Sequence, residues 1–112
     1  MVASLAAVVA SVVLVPHGAH GVGGTVTFAR VSAHATRVTV TLRVQDHRLR
    51  PVHVHGGRCG SFFGLPFGAF TIRGAHGSGV LQAPLRTLRG GLYAIDVHAA
   101  VGSPSWIACA NL

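Results

Sequence analysis

Arg37-Val38-Thr39-Val40-Thr41-Leu42-Arg43-Val44 alternates without a break, with Val38, Val40, Leu42 and Val44 on one side and Arg37, Thr39, Thr41 and Arg43 on the other. Successive side chains of a strand point to opposite faces, so this stretch is a β-strand with one face in a core and one in water. Upstream, Thr25-Val26-Thr27-Phe28-Ala29-Arg30 repeats the pattern with Val26 and Phe28 inward, and Ser32 to Ala35 is a polar turn joining the two. Downstream, Gln45 to Leu49 turns the chain, and Pro51 opens another strand at a position where a missing N–H is tolerated. Further strands are expected at Ala69 to Arg73, Gly79 to Ala83, Tyr93 to His98 and Trp106 to Ala110, with glycine-bearing turns between them. Phe62, Phe63, Leu65 and Phe67, broken by Gly64 and Pro66, read as a loop folded back over the core, and Trp106 as a core plug. Short, evenly spaced strands with no helical period predict an all-β antiparallel sandwich or barrel of about eight strands.

Residues 2–15 are apolar apart from two serines, too short a run for a membrane span. Two readings fit. Residues 1–21 are an export signal, with small residues at Ala19 and Gly21 but no basic residue ahead of the apolar run; or Val8 to Val15 is the first strand. Residues 22–112 form the β domain on either reading.

Two stretches carry the chemistry: Arg50-Pro51-Val52-His53-Val54-His55-Gly56-Gly57-Arg58-Cys59 and Tyr93-Ala94-Ile95-Asp96-Val97-His98. Alternation turns Val52 and Val54 one way and His53 and His55 the other; with Ile95 and Val97 inward, Asp96 and His98 face out. Three imidazoles on two strands make a workable face for copper, since imidazole suits either oxidation state and three nitrogens leave a position open. Asp96 is expected to orient a ligand as an outer carboxylate, or to pair with an arginine at the surface. His17, His20, His34 and His47 fall in predicted turns and are expected to be solvated.

These residues resemble the copper/zinc superoxide dismutase family, including its shortened members and the related CHRD-type domains. His53-Val54-His55 ahead of a cysteine is similar to the family's HVH copper strand, Ala94 to Ala99 to its VVVHA strand, and Ile107-Ala108-Cys109 to its LAC segment. Val22 to Phe28 is similar, more loosely, to the GTINF strand. The resemblance implies a Greek-key barrel, copper held by His53, His55 and His98, a Cys59–Cys109 disulfide, and superoxide dismutation.

The departures are specific. The segment from His55 to Phe70, where the family carries its bridging histidine and zinc ligands, holds no further histidine and no aspartate. His76 alone cannot form a four-ligand zinc site, so zinc is not expected at the family's usual place. The family's guiding arginine falls on Trp106, which leaves Arg50 and Arg58 to attract a small anion such as superoxide.

The composition sets the wider bounds. One domain of 112 residues that are 50 % apolar can bury a core, and two cysteines fit one disulfide in an oxidising, extracytoplasmic compartment. Nine basic residues, all arginine, against Asp46 and Asp96 give a net charge of +7, which draws small anions. The arginines are scattered and no aromatic binding motif accompanies them, so no specific nucleic acid partner is expected.

Overall fold

The structure is a computed structural model describing residues 8–112, the side chains of residues 8 and 9 excepted. Eight strands form it: β1 (Val8–Pro16), β2 (Gly24–Ser32), β3 (Ala35–Leu42), β4 (Leu49–Arg58), β5 (Ser61–Arg73), β6 (His76–Leu81), β7 (Tyr93–His98) and β8 (Trp106–Asn111). One helical turn, α1 (Leu85–Leu88), lies between β6 and β7. The strands close into a barrel in the order β1-β2-β3-β6-β5-β4-β7-β8, every neighbouring pair antiparallel. Two connections, β3 to β4 and β6 to β7, cross over intervening strands, which is the Greek-key arrangement.

The alternating patterns set the register. Val26 pairs with Val40 and Phe28 with Val38 between β2 and β3, and all four are buried. Val52 and Val54 of β4 and Ile95 and Val97 of β7 join them inside the barrel, with Leu14, Ile72 and Leu88. The inner wall is thus largely apolar, with Thr36 and Arg50 as its buried polar members, and the residues that alternate with these valines lie on the outer wall.

Residues 8–16 are a barrel strand, paired with β2 along most of its length and with β8 at Val15 and Pro16. Cleavage at Ala19 to Gly21 would remove that strand. Residues 1–7, the start of the proposed export segment, lie outside the described residues.

The loop expected at 62–67 is instead part of β5, and its side chains do not cover the core. Gly68 pairs with Val54 and Phe63 with Gly56, so residues 64–67 face the single residue His55 and are pushed outward. Phe63, Leu65 and Phe67 are 68 %, 89 % and 44 % exposed in consequence. Trp106 is only half-buried and stacks on His17 outside the barrel rather than plugging its interior.

A candidate metal centre on the outer barrel wall

Strands β4 and β7 are direct neighbours, with His53 opposite Asp96 and His55 opposite Ala94. His55 is therefore diagonal to Asp96, and His98 diagonal to His53. Opposite and diagonal positions on one face of an antiparallel pair bring side chains within reach of each other. One ligand-capable atom from each of His53, His55, Asp96 and His98 lies within 4.8 Å of the others. The three histidines singled out from the sequence thus come together. Asp96 joins them as a member of the cluster.

The outer wall here is not wet. Asp96 is 1 % exposed, which rules out the surface ion pair with an arginine. Its ion-pair partners are His55 Nε2 at 3.3 Å and His98 Nε2 at 3.4 Å. Phe62 stacks on the His55 ring (centroids 4.6 Å apart), and Trp106 meets Phe62 edge-on at 5.4 Å, so an aromatic cover keeps solvent off the imidazoles. The 99–105 loop supplies the other wall. It is braced by Ala99 N–H donating to Ser105 O and Ser103 N–H to Ala100 O. A cleft of about 490 Å³ behind this loop, lined by His17, His20, Ser103 and Trp106 among others, includes none of the four donors.

The loop also orients one ring. His98 Nδ1 lies 2.8 Å from Ser103 O, a carbonyl that only accepts, so Nδ1 carries a proton and Nε2 is the nitrogen turned to Asp96. A histidine held at one nitrogen by a carbonyl, with the other free, is the usual arrangement of a metal ligand. Asp96 Oδ1, His55 Nδ1, His55 Nε2 and His98 Nε2 are all buried without a hydrogen-bond partner. Buried polar atoms are nearly always satisfied, and unpartnered atoms on three neighbouring side chains are unusual.

The electrostatics agree. Burial raises the Asp96 carboxyl above the ordinary aspartate range, against the pull of His98 and His55. Burial, followed by the proximity of His98, lowers the His53 imidazole, which favours the neutral form a metal requires.

Neither arginine expected to attract an anion is free at the centre. Arg50 shares parity with Val52 and Val54, so it lies on the opposite side of the wall from the histidines. It is 5 % exposed and donates to both carboxylate oxygens of Asp46, at 2.9 and 2.7 Å. Arg58 is exposed and donates through Nη1 to the carbonyls of Gly91 (3.1 Å) and Leu112 (3.4 Å).

Past the histidines, Gly57 takes a positive φ of 99°, open to glycine at little cost, and its N–H donates to Leu92 O. That turn carries Cys59 to Cys109 of β8, and the two form the disulfide, 50 residues apart in sequence. The bridge lies beside the centre but does not assemble it, because β4 and β7 already pair directly.

Sequence reasoning missed the burial of Asp96 and the parts played by Phe62 and Ser103. All three depend on long-range packing; alternation places Asp96 on the face of His98 but gives no sign that the face is covered.

Comparison with known proteins returns no match: no protein-family model fits the chain, and no curated protein or solved structure is similar to it.

Proposed function

We propose that this chain is a metal-binding β-barrel domain of superoxide dismutase-like design that holds one transition-metal ion and does not turn over superoxide. One observation carries this reading: three imidazoles and a carboxylate converge, and His55, Asp96 and His98 each keep a buried polar atom with no hydrogen-bond partner. The sequence resemblance favours copper as the ion. Non-catalytic binding is preferred because, among the described residues, neither arginine expected to attract an anion is free at the centre. Arg50 is locked to Asp46 across the wall, Arg58 is engaged with carbonyls, and the nearest charge to the imidazoles is the Asp96 carboxylate. The disulfide supports residence in an oxidising compartment.

Superoxide dismutation by a copper-loaded form is the second reading, favoured by the net charge of +7, which draws anions from a distance. One experiment separates the two. The purified protein is stripped, loaded with copper or zinc, and measured for metal stoichiometry and superoxide decay beside a His53→Ala/His98→Ala double variant. One ion per chain, lost in the variant, with superoxide decay no faster than for free protein, is the expected result. Decay that depends on both histidines supports the enzyme, and failure to retain any metal overturns both readings.

A further inference from the structure

We propose that Asp96 is itself a ligand, closing a four-coordinate shell of three nitrogens and one oxygen that selects Zn(II) over a cycling copper ion. This rests on the metal-binding reading above and assigns Asp96 a role other than orienting a histidine.

The first argument is spacing. Ligands about 2.0–2.1 Å from a tetrahedral ion lie about 3.3 Å from one another, against about 2.9 Å for adjacent corners of a square plane. Asp96 Oδ2 lies 3.3 Å from His55 Nε2 and 3.4 Å from His98 Nε2. These two separations match tetrahedral edges, and the four donor atoms together lie within 4.8 Å, close enough to draw in around one ion. The same two separations are long for charge-assisted hydrogen bonds, which run about 2.7–2.9 Å.

The second argument is the orientation of His98. Ser103 O engages His98 Nδ1 at 2.8 Å, so Nε2, 3.4 Å from Asp96 Oδ2, is the ring nitrogen left free to meet a cation. His55 Nε2, equally unpartnered, faces the same oxygen. One cation within reach of Oδ2 and both Nε2 atoms satisfies all three.

The third argument is ligand character. A hard, anionic oxygen stabilises a divalent ion and does nothing for Cu(I), which prefers soft ligands. Three neutral imidazoles and one carboxylate leave a divalent ion with a single net positive charge and four bonds, the closed arrangement typical of zinc sites that do not perform chemistry. An outer carboxylate would lie beyond the ring, on the nitrogen turned away from the ion. On His98 that nitrogen already belongs to Ser103.

The test uses the intact, disulfide-bonded protein stripped of metal. Zinc affinity is measured by competition with a chromophoric chelator, and cobalt(II) is added as a coordination reporter. For the wild type, one zinc per chain and the intense visible bands of four-coordinate cobalt are expected. Asp96→Asn, which keeps the shape and removes the charge, should weaken zinc by more than the roughly 10–100-fold typical of losing an outer partner, and should replace the cobalt bands with weak higher-coordinate ones. X-ray absorption of the zinc-loaded wild type should give a shell of four nitrogen or oxygen neighbours, a measurement that stands even if the variant does not fold. Zinc binding by Asp96→Asn within that range, with unchanged cobalt bands, or a five- or six-neighbour shell in the wild type, overturns the role of Asp96 and leaves metal binding intact. Tighter binding of Cu(I) than of zinc overturns the selectivity. A wild type that holds neither zinc, cobalt nor copper overturns metal binding itself.

Discussion

Removing the Cys59–Cys109 bridge should lower stability greatly while sparing the metal centre. The bridge closes a loop of 50 residues. In the chain-entropy model, opening it releases about 14 cal/mol/K in the unfolded chain, or about 4 kcal/mol at 25 °C. Unfolding a 112-residue domain at about 2.1 cal/mol/K per residue gives an entropy near 235 cal/mol/K. Dividing one by the other predicts a fall in Tm of about 17 °C. The assay is a metal-free circular dichroism melt of the wild type with and without a phosphine reductant, beside Cys59→Ala/Cys109→Ala. Below the lowered Tm, metal affinity should be unchanged, because His53 and Asp96 are held opposite each other by the β4–β7 ladder, not by the bridge. A fall of only a few degrees would mean that the unfolded chain is already confined without the bond. Loss of metal binding in a reduced protein with a native spectrum would refute the claim that pairing alone assembles the centre.

Three further outcomes follow from the same geometry. Metal affinity should fall as pH drops below about 6.5, by up to about 10-fold per unit for each imidazole that must give up a proton; a chelator titration from pH 7.5 to 5.5 reads it. Burial, followed by the proximity of His98, holds the His53 imidazole below its ordinary value, which removes apo stability as pH falls through that of the unfolded chain. Gly57→Ala should cost about 2 kcal/mol or more, since φ is +99° and the new Cβ would clash with Ser61 O; denaturant unfolding measures it. Asp46→Asn should lower Tm and flatten the acid limb of the stability curve. Arg50 and the Arg48 N–H hold the Asp46 carboxyl well below its usual range, so its contribution is present above about pH 3.9 and lost as pH falls below it.

The sequence made β2 and β3 legible because every second residue is apolar and nothing interrupts the pattern. β5 was not legible: Gly64 and Pro66 broke its period, and its pairing depends on four residues being extruded opposite His55, a register fact with no local signature. At the centre, parity alone placed His53 and His55 on one face. The same parity puts Arg50 with Val52 and Val54, on the inner side, so its absence from the centre was readable too. What alternation could not tell is that the outer face is covered. Asp96 reads as outward, and outward ordinarily means solvated. Its burial comes from Phe62, Trp106 and the 99–105 loop, which arrive from distant parts of the chain.

A centre built from two adjacent strands explains how so short a chain can hold an ion without a long ligand-bearing loop. The interior is filled by Val52, Val54, Ile95 and Val97, so polar donors are excluded from it, and alternation delivers them to the outer wall as a matched set. Register then determines ligand geometry. A slip of one residue between β4 and β7 would break the His53–Asp96 pairing and turn the slipped strand's donors into the apolar core, so the burial that stabilises the barrel also protects the arrangement of ligands. The loops need add only a roof and one carbonyl. Of these parts, Ser103 O does the most with the least: by accepting from His98 Nδ1 it holds the ring so that Nε2 is the nitrogen facing Asp96 and His55.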